Sequence, residues 1–211
     1  MIQGALFAGI LGALFVAAPN AHAQLGGVGQ RERETGARTT VGAPNAQACM
    51  DAIAAGNSSN EAMEFCNRAV ESENLPRATR LAIRINRGAM HLRRHEGEAA
   101  LADFDAVIEV DRRNAQAHLN RGMALIMLNQ PGQAVAAITQ SLSLGVDNPH
   151  IAYFNRGAAR EQLGDFRGAY EDYNTALEIR PDWGPANEEL ARFVRGRRDT
   201  LAQSLNGTGT P

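Results

Sequence analysis

The sequence contains no lysine, and all 21 of its basic residues are arginine. Aromatic residues make up only 5% of the chain, and the formal net charge is −2. Because a nucleic-acid surface needs an excess of positive charge, this composition gives no indication of DNA or RNA binding. The scarcity of aromatic residues disfavours a β-sandwich and favours an all-α fold with an alanine-rich core. Arginine without lysine is typical of a GC-rich genome and therefore indicates a bacterial source.

Lys, Arg, Asp and Glu are also absent from residues 1–23. This segment contains the apolar run ALFAGILGALFVAA (5–18), followed by the small-residue pattern AHA (21–23). The pattern predicts a signal peptide cleaved after Ala23, and therefore a periplasmic or secreted protein. A membrane anchor is the alternative, but the run is shorter than the roughly 20 residues needed to span a bilayer.

Two segments have too few bulky apolar residues to bury a core. Residues 24–44 (QLGGVGQRERETGARTTVGAP) are therefore predicted to be a disordered arm. Residues 204–211 are predicted to be a disordered tail.

The tripeptide Asn-Arg-Gly occurs three times, ending at Gly88, Gly122 and Gly157, with spacings of 34 and 35 residues. A fixed period in this range is typical of stacked helix-turn-helix units. We number each unit so that its glycine is position 8. Position 20 is then Ala100, Ala134 and Ala169, and position 24 is Phe104, Ile138 and Tyr173. Because a helical glycine costs about 1 kcal/mol relative to alanine, three at one phase predict a close contact between two helices.

The last unit adds LGDF (163–166) at positions 14–17 and Pro181 at position 32. With these markers the chain resembles the tetratricopeptide repeat family, in particular its exported bacterial members. The resemblance implies an α-solenoid of helix pairs that ends in a capping helix. The predicted segments are a degenerate first repeat (45–80), three repeats (81–114, 115–149 and 150–183) and the capping helix (184–203).

The two cysteines, Cys49 and Cys66, fall on the two antiparallel helices of the degenerate first repeat. In an exported protein this spacing predicts a disulfide between them. Two buried thiols are the alternative.

Arginine occupies position 7 of each regular repeat, on the side of the first helix that faces inward. We expect each arginine to pack its stem against the core and to pair with a nearby aspartate. The arginines are Arg87, Arg121 and Arg156, and the candidate partners are Asp103, Asp105 and Asp172. The repeat 81–114 departs from the family pattern at Arg84, His91 and Arg94, which predicts looser packing or a shifted register there.

The resemblance implies that a concave face, formed by the first helices, binds an extended peptide. The residues that the helical period places on that face are predicted to contact a partner. They are the apolar Ile85, Leu119, Phe154, Met123 and Ile126, and the amides Asn86, Asn120 and Asn155 at position 6. Two alternatives remain: another part of the chain, such as the arm, covers the apolar residues, or the asparagines are simply solvated.

Catalytic, phosphate-binding and cofactor motifs are not found in the sequence. His91 and His95 have the spacing of two metal ligands on one helix, but no third ligand is indicated, so they are interpreted as surface histidines. The sequence therefore predicts a non-enzymatic module, without cofactor or metal, that binds a protein or peptide. The alternative is an assembly subunit whose groove is filled by itself or by another copy in a homo-oligomer.

Overall fold

The computed structural model describes residues 43–72 and 74–206 of the chain, and this part is built of α-helices without a β-strand. The predicted signal peptide (1–23), nearly all of the predicted arm and residues 207–211 lie outside the described residues. The helices are α1 (Pro44–Ala54), α2 (Asn60–Ser72), α3 (Arg77–Arg93), α4 (Gly97–Val110), α5 (Ala115–Met127), α6 (Pro131–Ser143), α7 (Pro149–Gln162), α8 (Phe166–Ile179) and α9 (Gly184–Asn206). In the described part, no helix combines the length and the apolar character needed to cross a membrane.

The described residues divide into two compact units, 43–147 and 148–206. In the first unit, α1 packs on α2, α3 on α4 and α5 on α6, and successive pairs meet through α2 with α3 and α4 with α5. In the second unit, α7 packs on α8 and α8 packs on α9. The predicted all-α class and its repeated helix pairs are confirmed. Helix α9 extends to Asn206, so it continues beyond the predicted end of the capping helix at residue 203.

The glycine at position 8 lies where the two helices of a pair come closest. A Cβ atom added at Gly88 would lie 2.6 Å from the Phe104 ring, and one added at Gly157 would lie 2.8 Å from the Tyr173 ring. Gly122 faces Ile138 in the same way. Because real Cβ atoms do not approach a neighbour so closely, the close helix contact predicted from the spacing is confirmed.

The turn between the helices of each regular pair uses a left-handed residue at position 15. In the three regular pairs, in chain order, this residue is His95 (φ 61°), then Asn129 (φ 57°), then Gly164 (φ 79°). Glycine takes this conformation without strain, and asparagine and histidine are among the residues that tolerate it best. After Gly164, the Asp165 side chain begins α8 by accepting a hydrogen bond from the Gly168 amide at 3.0 Å. The turn chemistry therefore fixes where α7 ends and α8 begins.

Cys49 of α1 and Cys66 of α2 form a disulfide, with an S–S distance of 2.03 Å and a Cα–Cα distance of 4.8 Å. Both residues are fully buried in an apolar cluster built by α1, α2 and α3. The Cys66 sulfur also lies 3.6 Å from the Met90 sulfur of α3. The degenerate first pair is therefore linked both covalently within itself and by packing to the next pair.

Candidate functional site

The asparagines at position 6 lie on three first helices, α3, α5 and α7, and all three are buried. The exposed fraction is 3% for Asn86, 0% for Asn120 and 1% for Asn155. Asn86 and Asn120 belong to the unit 43–147, whereas Asn155 belongs to the unit 148–206. The sequence placed these side chains on an exposed wall, and the structure instead shields them from solvent.

The buried amides keep hydrogen-bonding capacity that no group in residues 43–72 and 74–206 satisfies. Asn120 Oδ1 accepts a hydrogen bond of 2.8 Å from Gln116 Nε2, but Asn120 Nδ2 is without a partner. Asn86 Oδ1 and both polar atoms of Asn155 are also unpaired. An unpaired polar atom in a protein interior costs about 1–3 kcal/mol. Each of these side chains therefore keeps an unused donor or acceptor that is complementary to a peptide main chain, but a peptide reaches it only after the groups that cover the side chain have moved.

The five apolar residues predicted to contact a partner are buried too. Ile85, Leu119, Phe154, Met123 and Ile126 are at most 2% exposed. They are therefore not open to solvent, as the alternative of coverage by another part of the chain expects, and their contact with a partner stays a prediction. The helical period gives the direction of a side chain but not what packs against it. Two cases show the packing directly. Ile85 packs with Val107 of α4 and Ala117 of α5. The Phe154 ring lies 5.0 Å from the Trp183 ring and 5.4 Å from the Tyr173 ring, between centroids.

The arginines at position 7 pair with aspartates, as predicted. Arg87 donates two hydrogen bonds to Asp103, of 2.8 Å from Nε and 2.6 Å from Nη2. Arg156 donates two to Asp172, of 2.9 Å and 2.7 Å. These hydrogen bonds raise the pKa of both guanidinium groups above the ordinary value, although burial acts in the opposite direction. The charge of Arg87 and Arg156 is therefore engaged inside the helix pairs and is not offered to a ligand.

The residues that depart from the family pattern in the repeat 81–114 make polar links instead of apolar packing. Arg84 lies 3.4 Å from Asp103, and His91 Nδ1 lies 2.6 Å from Glu96 Oε2. Arg94 donates to Glu96 Oε1 at 2.8 Å. It also donates to Ser58 O in the turn between α1 and α2 and to Oδ1 of Asn60, the first residue of α2. The hydrogen bonds from Arg94 and His91 lower the pKa of Glu96. His91 therefore has a partner within the fold, whereas its neighbour His95 is exposed.

Metal-binding chemistry has no geometric support in residues 43–72 and 74–206. No group of three or more His, Cys, Asp and Glu side chains there could hold a metal ion.

A polar network at the end of α7 was not anticipated from the sequence. Glu161 accepts hydrogen bonds of 2.6 Å from Arg192 of α9 and a bond of 3.2 Å from the Tyr173 hydroxyl. Burial, together with the nearby Glu161 and Glu189 carboxylates, raises the pKa of Tyr173 well above its usual range. The aromatic spacing of Phe166, Tyr170 and Tyr173 along α8 was the signal that could have pointed to this region.

Comparison with known proteins identifies the repeat type. Residues 150–182 match the model of the tetratricopeptide repeat. These residues form a tetratricopeptide repeat. The matched segment corresponds to α7, α8 and the turn that leads to α9, and it contains Asn155, Arg156 and Gly157.

Among curated proteins, human serine/threonine-protein phosphatase 5 is 32% identical over 85 residues. That match covers 40% of this chain but only 17% of the phosphatase, so the chain spans less than a fifth of its relative's length. Among solved structures, the first tetratricopeptide repeat domain of Spaghetti (RPAP3) bound to the HSP90 peptide SRMEEVD superposes with a TM-score of 0.52 at 23% identity. It covers 56% of this chain and 93% of that one. The crystal structure of MamA gives a TM-score of 0.59 at 16% identity, over 71% of this chain and 84% of that one. These structural likenesses show a shared fold.

Proposed function

We propose that the protein is a non-enzymatic adaptor of the bacterial cell envelope that binds a protein or an extended peptide through its first helices. The observation that carries the proposal is the set of unpaired amide atoms at one repeat position. Buried polar groups in native proteins are nearly always paired, so three exceptions at position 6 of α3, α5 and α7 point to a function. Within the unit 43–147, a peptide main chain would satisfy the free atoms of Asn86 and Asn120 without its sequence being read.

The chemistry of the α5 face supports an uncharged ligand. Along this face Gln116, Leu119, Asn120 and Met123 carry no charge, and the chain has no lysine. The Spaghetti domain was solved with a peptide that contains three acidic residues, SRMEEVD. We expect this chain to prefer a segment without charges, because Gln116, Leu119, Asn120 and Met123 offer an acidic side chain no opposite charge.

The envelope location rests on two features. The first is the predicted signal peptide, residues 1–23, which lies outside the described residues. The second is the Cys49–Cys66 disulfide, since disulfides persist in oxidising compartments such as the periplasm. We propose that cleavage after Ala23 releases the chain into the periplasm or the medium.

Site-specific crosslinking in bacteria tests the adaptor function. A photoreactive amino acid replaces Gln116, which is half-buried and bonded to Asn120. The matched control replaces Gln133, an exposed glutamine on the second helix α6. We expect a discrete crosslinked partner, identified by mass spectrometry, from position 116 and not from position 133. Equal crosslinking from both positions would contradict the proposal.

Replacing an unpaired amide distinguishes a binding role from a structural one. Asn155→Leu removes two unpaired polar atoms while keeping a similar volume, so we expect the free energy of unfolding to rise by about 1 kcal/mol. Asn120→Leu, introduced beside the photoreactive position 116, should abolish the crosslink without unfolding the chain. A crosslink of unchanged yield would show that the amides are not used for capture.

A second candidate function is an assembly subunit whose face is filled by the chain itself or by another copy. All eight predicted contact residues are already buried within one copy of the chain, which favours filling by the chain itself. If the face is filled by the chain itself or by another copy, a separate partner reaches the amides only after displacing that segment. Light scattering of the full chain over a hundredfold range of concentration separates the two functions. A mass that rises with concentration and falls back in Asn120→Leu supports assembly with another copy. A constant monomer mass excludes another copy, and a crosslinked partner from position 116 then supports the adaptor over a face filled by the chain itself.

A further inference from the structure

Helix α1 buries few side chains for its length. Of its 11 residues, only Ala46, Cys49 and Ile53 are buried. Helix α5 has 13 residues, and eight of them are buried. Two small side chains and one isoleucine offset little of the conformational entropy that is lost when the 11 residues of α1 are ordered. The packing of α1 is therefore weak compared with that of the helices inside the array.

The start of α1 also lacks side-chain support. Pro44 presets the backbone of the first turn, but Ala43 at the N-cap makes no side-chain hydrogen bond, and the first turn has no acidic residue. In other helices such groups satisfy the free amides of the first turn and interact with its positive end. The position of α1 therefore depends on what holds it against α2 and α3.

Helix α2, in contrast, is joined to α3 by hydrogen bonds as well as by packing. Arg87 Nη1 donates to Asn67 Oδ1 at 3.0 Å, and Arg94 Nη1 donates to Asn60 Oδ1 at 2.7 Å. Arg94 Nη1 also donates to Ser58 O at 3.1 Å. These three bonds hold α2 and the turn before it, and none of them involves α1. If α1 moves away, α2 therefore keeps its own connection to the array.

The Cys49–Cys66 disulfide is the covalent link between α1 and α2. Cys49 stands at the middle of α1, between its other two buried residues, Ala46 and Ile53. The bond limits how far α1 can move from α2 when it opens, and it so favours the return of α1. Both cysteines are 0% exposed, so a reductant reaches the sulfur atoms only when α1 opens.

We propose that the Cys49–Cys66 disulfide is a redox latch, whose reduction releases α1 and exposes the apolar surface of α2 and α3 beneath it. The reductant is a dithiol. It supplies two electrons and two protons, so the S–S bond breaks, both cysteines become thiols and the dithiol becomes a disulfide. The exposed surface includes Cys66 and Met90, whose sulfur atoms lie 3.6 Å apart. Helices α3 to α8 stay folded, and the latch is independent of the proposed adaptor function.

Hydrogen exchange of the full chain, followed by mass spectrometry, tests the latch. The chain is compared before and after treatment with dithiothreitol, and alkylation of the new thiols confirms complete reduction. We expect the amides of α1 to exchange at least about tenfold faster after reduction, and those of α4 and α6 to be unchanged. Cys49→Ala combined with Cys66→Ala should give the same result without a reductant. Unchanged exchange in α1, or an equal acceleration in α1, α4 and α6, would overturn the proposal.

Two matched substitutions test whether the opening of α1 controls access to the bond. Ile53→Ala removes the largest buried side chain of α1 and keeps the disulfide, whereas Val110→Ala changes an exposed valine at the end of α4. We expect dithiothreitol to reduce Ile53→Ala at least about fivefold faster than the natural chain, because the cavity loosens α1. Val110→Ala should be reduced at the natural rate. Equal rates in the two variants would show that α1 does not guard the bond, and would overturn the proposal.

Discussion

The helix pairs α5–α6 and α7–α8 carry the same arginine at position 7 but differ in the acid that it meets. In α7–α8, Arg156 pairs with Asp172 at position 23 of its own repeat, and the side chains are 14% and 3% exposed. In α5–α6, position 23 is Ala137, and Arg121 turns instead to Asp105 on the preceding helix α4. That pair has a single hydrogen bond of 2.6 Å, and its side chains are 27% and 49% exposed. The residue at position 23, 16 residues after the arginine, therefore decides whether this arginine forms a buried or an exposed ion pair.

The largest expected effect comes from removing the buried acid. Asp172→Ala leaves Arg156 and its neighbour Arg160, which lies 3.0 Å from Asp172, without that partner in a partly buried place. We expect the free energy of unfolding to fall by about 3 kcal/mol, measured by urea denaturation. Asp105→Ala is the matched control, with an expected loss below about 0.5 kcal/mol because its pair is exposed. Equal losses would break the comparison between the two repeats.

A smaller effect is expected when both members of the buried pair are replaced. Arg156→Met combined with Asp172→Leu removes both charges of the buried pair, while Arg160 keeps Asp165 at 3.8 Å and the Gly168 carbonyl at 3.1 Å as partners. We expect the double variant to lie within about 1 kcal/mol of the natural chain, since apolar residues of similar volume often substitute for a buried ion pair at little cost. Urea denaturation measures this value beside Asp172→Ala. A double variant as unstable as the single one would show that Asp172 acts through packing and not through its charge.

An aspartate introduced at position 23 of the middle repeat should become the new ion-pair partner of Arg121. Ala137→Asp places a carboxylate at position 23, where the other two regular repeats have Asp103 and Asp172. We expect the coupling energy between Arg121 and Asp105, a few tenths of a kcal/mol at most, to fall to zero because Arg121 turns to the new carboxylate. A double-mutant cycle with Arg121→Met and Asp105→Ala measures the coupling in both backgrounds. An unchanged coupling would mean that position 23 does not control the choice of partner.

The smallest expected effect is the pH dependence of stability that comes from His150 on α7. It tests how strongly the surroundings of α7 disfavour a charged side chain, and so sharpens the comparison of the two helix pairs. Burial, and then the charge of Arg180, lowers the pKa of His150. The ring lies edge-on to Trp183, with centroids 4.9 Å apart, and its Nε2 lies 3.3 Å from Arg180 Nη1. The folded state therefore favours the neutral ring, and its contribution to stability is complete above the ordinary histidine value of about 6.5. This contribution to stability decreases as the pH falls from about 6.5 through the lowered pKa of His150 in the folded state.

We expect the free energy of unfolding, followed by Trp183 fluorescence, to be slightly lower at pH 5 than at pH 7. His150→Gln should remove the part of this pH dependence that comes from the imidazole. A variant with the same pH dependence as the natural chain would assign the effect to other groups.

The helix pairs could be predicted because their cause is local in the sequence. A glycine at position 8 has one strong physical use inside a helix, and its period of 34 or 35 residues fixed the repeat. The expectation that each arginine at position 7 pairs with a nearby aspartate followed from the same register, because the inward face of a first helix is known once the register is known. Which aspartate each arginine meets is given by the structure. The two cysteines were also placed on facing helices by that register, and the structure joins them.

The burial of the candidate site residues could not be predicted in the same way. Helical periodicity placed Leu119, Asn120 and Met123 on one face of α5, but burial depends on everything that packs on that face. The open side of α9 was missed for a related reason. The segment 184–203 was interpreted as a cap from its apolar spacing, and exposure of Ala191 and Val194 becomes visible only when the neighbouring helices are in place.

Ala191 of α9 lies one 34-residue period after Gly157 and is exposed. This position bears on how such a repeat array lengthens. A second helix added after α9 by duplication would meet a small side chain at the repeat position where Gly88, Gly122 and Gly157 allow two helices to come close.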